Sequence, residues 1–133
     1  MGTRLAAEFV KTPAHKEERL WKAVLVCAFE DCINTSGSKA ETYRKQEAHN
    51  WFIEDSEDFQ NVCWLAGLDP LLVRNRYIYL IEENQIKFTE LQKEWCKYRM
   101  NYKTYRQTRT TEQRKLIRNN IERIKTKIFK LKK

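Results

Sequence analysis

Only three glycines and two prolines punctuate 133 residues, and that scarcity constrains the fold more than any other feature of the chain. A β-sandwich or barrel needs a turn signal roughly every 8–12 residues, and there are too few turn formers to supply one. No apolar run approaches the roughly 18 residues needed to span a bilayer. The expectation is therefore an all-α protein that has no membrane partner. Sixteen aromatic residues, four of them Trp, are enough to build a core despite the low mean hydropathy.

Apolar periodicity divides the chain into helices. Thr12 and Pro13 read as an N-cap and first helical residue, and Leu20, Trp21, Val24, Leu25, Ala28, Phe29 and Cys32 then recur at helical spacing. The run from Ala23 to Phe29 is apolar almost all round, which predicts a helix covered by several neighbours. Asn34-Thr35-Ser36-Gly37-Ser38 breaks it. A second helix, about 39–53, carries Ala40, Tyr43, Glu47 or Ala48, and Trp51 inward, with Arg44, Lys45 and Gln46 outward. A third is capped by Asp55 or Ser56, with Glu57 and Asp58 in its first turn, where the helix end is positive. Phe59, Val62, Cys63 and Ala66 form its inner face. Gly67 suits the left-handed position that ends a helix, Leu68 its hydrophobic contact, and Asp69-Pro70 the cap and first residue of the next. On that fourth helix, about 70–82, Val73, Tyr77, Leu80 and Ile81 face inward.

Beyond residue 85 the pattern changes. Phe88, Leu91, Trp95, Tyr98, Tyr102 and Tyr105 follow a 3-4-3-4-3 spacing, an aromatic seam on one long helix. After an interruption at 107–111, with a candidate capping box at Thr110-Thr111-Glu112-Gln113, Ile117, Ile121, Ile124, Ile128 and Leu131 form a second seam. The two read as an antiparallel hairpin or as one extended helix in a coiled coil with another chain. The expected domains are 1–85, with a helix-turn-helix at 56–82, and a basic amphipathic extension at 86–133.

Charge separates along the same line. Residues 1–70 hold eight Lys and Arg against twelve Asp and Glu, residues 71–96 four of each, and residues 97–133 fourteen against Glu112 and Glu122. A segment of +12 most commonly meets a polyanion, because each phosphate it neutralises releases a condensed counterion. Candidate phosphate contacts are Lys97, Arg99, Lys103, Arg106, Arg109, Arg114, Lys115, Arg118 and Lys125. The tyrosines interleaved with them read first as a packing seam, given their spacing, and second as a stacking surface for bases.

The segment Phe59 to Arg76 resembles a helix-turn-helix in its small Ala66, turn Gly67, apolar Leu68 and inward Val73. In that motif the second helix enters the major groove of double-stranded DNA, which puts Leu71, Arg74, Asn75 and Arg76 near base edges. Three residues after Val73 the motif usually keeps an apolar residue; here it is Arg76, so Tyr77 must fill the core through a slightly rotated helix. Asp55, Glu57, Asp58 and Asp69 oppose phosphate approach unless they face away or serve as caps. The string from Trp51 to Arg76, WFIEDSEDFQNVCWLAGLDPLLVRNR, is similar to a pattern in short phage and prophage proteins of bacteria. That resemblance implies a phage- or prophage-encoded DNA-binding regulator, and transfers no site beyond the helix pair.

Cys27, Cys32, Cys63 and Cys96 never occur as CxxC and sit among apolar neighbours, which reads as buried free thiols in place of a disulfide framework or zinc site. Met1 to Lys11 lacks the pattern of a signal peptide, so a cytoplasmic location is expected, in a bacterial or infected cell. His15 and His49 read as surface or helix-terminal residues. No phosphate loop, HExxH or paired nucleophile and base is present, so neither catalysis nor a cofactor is expected. The function read from these features is a DNA-binding helix-turn-helix protein, a transcription regulator of phage or bacterial type, acting as a homo-oligomer. Two alternatives stand beside it: a helical module that grips a host or phage protein such as a polymerase or nuclease through Trp64, Trp95 and the tyrosines, and a small packaging-terminase-like oligomer.

Overall fold

The computed structural model describes residues 16–132; the expected cap at Thr12-Pro13, His15, the segment from Met1 to Lys11, and Lys133 lie outside them. Among the described residues there are six helices and no strand: α1 (Lys16–Ile33), α2 (Lys39–Glu54), α3 (Glu57–Leu65), α4 (Pro70–Glu82), α5 (Glu90–Gln107) and α6 (Thr111–Leu131). The protein is all-α, and no described helix is long and apolar enough to cross a membrane. It divides into two units, one of residues up to 34 with 44–87, the other of 35–43 with 88 onward. The sequence suggested one boundary, at 85/86; the units have three, because the loop after α1 and the first turn of α2 group with α5 and α6.

In the first unit a core of Leu25, Cys32, Phe52, Phe59, Val62, Cys63, Ala66, Tyr77 and Ile86 joins α1, α2, α3 and α4. The Phe52 ring stacks on Tyr77 at 4.4 Å and meets Phe59 edge-on at 5.8 Å, and Trp51 meets Phe59 edge-on at 5.0 Å. These offset and edge geometries add about 0.5–1.5 kcal/mol per pair beyond the area buried. Phe59, Val62, Cys63 and Ala66 all face inward as their spacing predicts. α1 departs from expectation, since Leu20, Val24 and Cys27 are exposed and Leu25 and Cys32 alone are buried. With one side of α1 open, its apolar run is not covered all round.

α2 corrects the sequence reading most sharply. Ala40 is exposed, whereas Lys45, expected outward, is fully buried. Its ammonium donates to the carbonyls of Asn34 and Lys87, at 2.6 Å each. The inward stripe is Thr42, Lys45, His49 and Phe52, a 3-4-3 spacing masked by its polar members.

The second unit is an in-chain antiparallel hairpin. Glu94 of α5 meets Lys127 of α6, and Tyr105 meets Arg118, so the partner number falls as the first rises. Trp95, Ile121 and Ile128 are buried along the seam, with Tyr98, Tyr102 and Tyr105 half-buried. α5 begins later than the aromatic spacing implied. Thr89 caps it through the backbone N–H of Gln92, and the Gln92 side chain accepts in return from the Thr89 N–H, which leaves Phe88 outside the helix. The box expected at Thr110-Thr111-Glu112-Gln113 does not form: Thr110 is the N-cap residue but makes no side-chain bond. The loop before α2 docks here, as Gln92 donates to the Ser36 carbonyl and the Trp95 indole to that of Gly37, each at 3.0 Å. Gly37 permits this approach, because a Cβ there would stand 2.6 Å from Leu91.

Candidate nucleic-acid interface

The α3–α4 turn is built by caps. The Ser56 hydroxyl accepts from the Phe59 N–H, and Glu57 and Asp58 occupy the first turn. At the other end the Leu68 N–H donates to the Cys63 carbonyl and the Gly67 N–H to that of Trp64, the paired bonds of a Schellman ending. Gly67 has φ 76°, a left-handed conformation that favours glycine, and the flexible end of Glu18 lies 2.6 Å from where a Cβ would be. The Asp69 carboxylate accepts from the Leu71 N–H, with Pro70 next. Two of the four carboxylates near the turn thus have structural work: Asp69 caps α4, and Asp58 accepts from the Trp51 indole at 2.8 Å.

The four α4 positions predicted to approach a groove divide. Leu71, Asn75 and Arg76 are exposed, whereas Arg74 is half-buried and its Nε donates to the Ile53 carbonyl at 3.1 Å. Arg74 therefore ties α4 to the end of α2. The Arg76 guanidinium rests over the Tyr79 ring at 5.4 Å, and Tyr77, not Arg76, enters the core, as the rotated register requires. The same edge exposes Trp64 (62%), Leu65, Leu68, Leu71 (61%) and Leu72 (65%). Beside it a cavity of about 860 Å³ runs between α1 and α4, lined by Phe29, Ile33, Leu72, Leu80 and Arg76 among others.

On the hairpin the predicted cations also divide. Lys97 pairs with Glu94 at 3.1 Å and Lys125 with Glu122 at 3.5 Å. Glu94 is only 2% exposed. Burial pushes its carboxyl up, but hydrogen bonds from Lys127 and Lys97 outweigh this, and the net shift is downward. Arg99 is half-buried over the Tyr43 ring at 4.7 Å. Lys103, Arg106, Arg109, Arg114, Lys115 and Arg118 are exposed. The seam rings carry cations as well: Lys39 lies 5.4 Å from Tyr98, and Lys132 5.1 Å from Trp95.

A buried polar cluster in the first unit escaped the sequence reading. His49, expected at the surface, is half-buried, with Nδ1 2.7 Å from the Tyr77 hydroxyl. Burial, then the charge of Lys45, lowers its pKa. The Tyr77 hydroxyl also bonds the Cys32 thiol, and burial raises both, Cys32 to about 11. Burial lifts Cys63 similarly to about 11, with Asp55 and Asp69 adding to it. All four cysteines are free, but only Cys32 and Cys63 are buried; Cys96 is half-buried and Cys27 exposed. The expectation of four buried thiols fails at Cys27 because its side of α1 is uncovered. Among the described residues no three His, Cys, Asp or Glu side chains converge as a metal site would need.

Charge is partitioned between the units. In the described residues the first carries eight Lys and Arg against twelve carboxylates, for −4, and the second fifteen against five, for +10. Compared with protein-family models, with curated proteins and with solved structures, the chain matches none.

Proposed function

We propose that this protein binds double-stranded DNA, with the α3–α4 helix pair offering Leu71, Asn75 and Arg76 to a groove and the hairpin contacting phosphates, as a phage or bacterial transcription regulator would in a bacterial or infected cytoplasm. The observation that carries this reading is the +10 charge gathered on the second unit, a density suited to counterion release from a polyanion. The capped helix pair supports it, because Leu71, Asn75 and Arg76 stand exposed on its second helix, the element that the motif presents to a groove. A homo-oligomer would present two such helices about 34 Å apart, one DNA turn.

The test is binding of the full chain to duplex DNA, single-stranded DNA and RNA at two salt concentrations, with Arg76→Glu beside it. Duplex preference, a steep salt dependence and a loss of about tenfold in Arg76→Glu are expected, each mismatched groove contact being worth about 1–3 kcal/mol. Unchanged affinity in Arg76→Glu would remove α4 from the interface.

One observation favours a second reading, in which the helix pair holds a protein partner such as a polymerase or nuclease. Trp64, Leu65, Leu68, Leu71 and Leu72 are all exposed within the α3–α4 stretch of an acidic unit, and exposed aromatics of this kind anchor protein interfaces. This reading expects a stoichiometric complex that survives high salt and is lost in Trp64→Ala.

A further inference from the structure

The basic residues of the hairpin fall into two populations. Toward the open end, where α5 begins and α6 ends, four lysines share three carboxylates, Lys93 with Glu90, Lys97 and Lys127 with Glu94, and Lys125 with Glu122, while Arg123 bonds Asn120 and Lys132 lies over Trp95. Toward the closed end stand Lys103, Arg106, Arg109, Arg114, Lys115 and Arg118, with Glu112 as the carboxylate of that stretch. Among the described residues none of these six is in an ion pair.

Arg114 and Arg118 sit one turn apart on α6, a like-charge spacing that is unfavourable in an isolated helix. Both converge on Tyr105. Their guanidinium carbons lie 4.8 and 5.8 Å from its ring centroid, and Arg118 Nη2 donates to the Tyr105 hydroxyl at 3.0 Å. The negative ring face offsets part of their repulsion and fixes two planar, multidentate donors beside each other without supplying an anion. Guanidiniums in this state suit phosphate oxygens, which they grip in bidentate fashion. With two cations drawn to it, Tyr105 organises charge in preference to stacking a base.

We infer that the closed end of the hairpin, centred on Arg114, Arg118 and Tyr105, is the principal phosphate-binding element of this protein and fits the backbone of duplex DNA, while the ion-paired Lys93, Lys97, Lys125 and Lys127 are structural. This rests on the DNA-binding reading. Arg114 and Arg118 are the phosphate contacts, and Tyr105 is a positioning residue.

The experiment is fluorescence anisotropy of a labelled 20-base-pair duplex titrated with the full chain from 50 to 200 mM salt, each variant being checked for helicity and thermal midpoint. Arg114→Gln with Arg118→Gln is expected to weaken binding at least tenfold at 50 mM and flatten the salt slope by about 2, roughly 0.9 for each phosphate left without its cation. Lys97→Gln with Lys125→Gln is expected to stay within about twofold, since those ammoniums already have carboxylate partners. Tyr105→Ala should lose affinity and Tyr105→Phe recover most of it, because the ring survives. An equal loss from both double variants, or none from Arg114→Gln with Arg118→Gln, overturns the inference while leaving DNA binding intact. Competition by poly-glutamate as effective as by duplex at equal charge overturns it in favour of an acidic protein. Failure of the unsubstituted chain to bind duplex at 50 mM takes the DNA-binding reading down with it.

Discussion

The two units hold helices together by different physics. The first concentrates interlocked rings and buried thiols into one apolar core, and its buried cation, Lys45, acts as a structural donor between two backbone carbonyls. The second has a narrower seam of aromatic and isoleucine side chains, with rings half in solvent and cations over their faces, and a buried carboxylate, Glu94, joining its helices. A dense core leaves the acidic unit free to expose apolar side chains at its α3–α4 edge. A two-helix seam leaves most of its surface as charge. The first surface resembles one that meets a protein or a groove, the second one that meets a polyanion.

Substitutions test that contrast. Phe59→Ala should have the largest effect, about 3–5 kcal/mol in urea unfolding, because a fully buried ring touching two others leaves a cavity; a cost below about 1 kcal/mol would mean that the first unit is not organised around this cluster. Lys45→Met should follow at about 3 kcal/mol, since two carbonyls lose a charged donor in a buried site. Arg44→Met, one residue away but exposed, should stay within about 0.5 kcal/mol, and equal effects would contradict the burial of Lys45. Glu94→Gln should cost about 1 kcal/mol, measured by thermal unfolding at pH 7, because both partner lysines reach solvent and the pair is partly screened.

The smallest effect belongs to His49. Its pKa in the folded protein lies below the ordinary value of 6.5, so the unfolded chain takes up its proton first. The contribution of this group is therefore fully present above pH 6.5 and is lost as pH falls from there through the folded-state pKa. Stability followed by urea titration across pH 7 to 5 should decline more in the unsubstituted protein than in His49→Gln. Parallel profiles would show that the Tyr77 contact does not depend on neutral imidazole.

How much was legible in the sequence varies by element. The α3–α4 junction was readable almost residue by residue, because Ser56, Gly67, Asp69 and Pro70 act within a few bonds of their own backbone. The 3-4 spacing of the second seam was equally plain, since Ile121 and Ile128 are apolar and the helix repeat alone puts them on one side. α2 was misread at Lys45 and His49, whose inward direction depends on distant groups: two carbonyls 11 and 42 residues away for the lysine, and a tyrosine 28 residues away for the histidine. A polar side chain in an inward stripe is indistinguishable from a surface one until its partner is known. On α4 the exposure of Leu71, Asn75 and Arg76 follows from the helix repeat, but the bond from Arg74 to Ile53 has no local signature.

The sequence by itself determined the helices, their caps and the accumulation of charge toward the C-terminal third, because backbone conformation, end-capping and net charge depend on near neighbours or on simple summation. Tertiary structure alone decided which charges are available. It closed the hairpin, brought Glu94 against Lys97 and Lys127, left the cations around Tyr105 without carboxylates, and buried Lys45 against two carbonyls. Whether a cation is neutralised, sequestered or exposed depends on partners that become neighbours only when the chain folds.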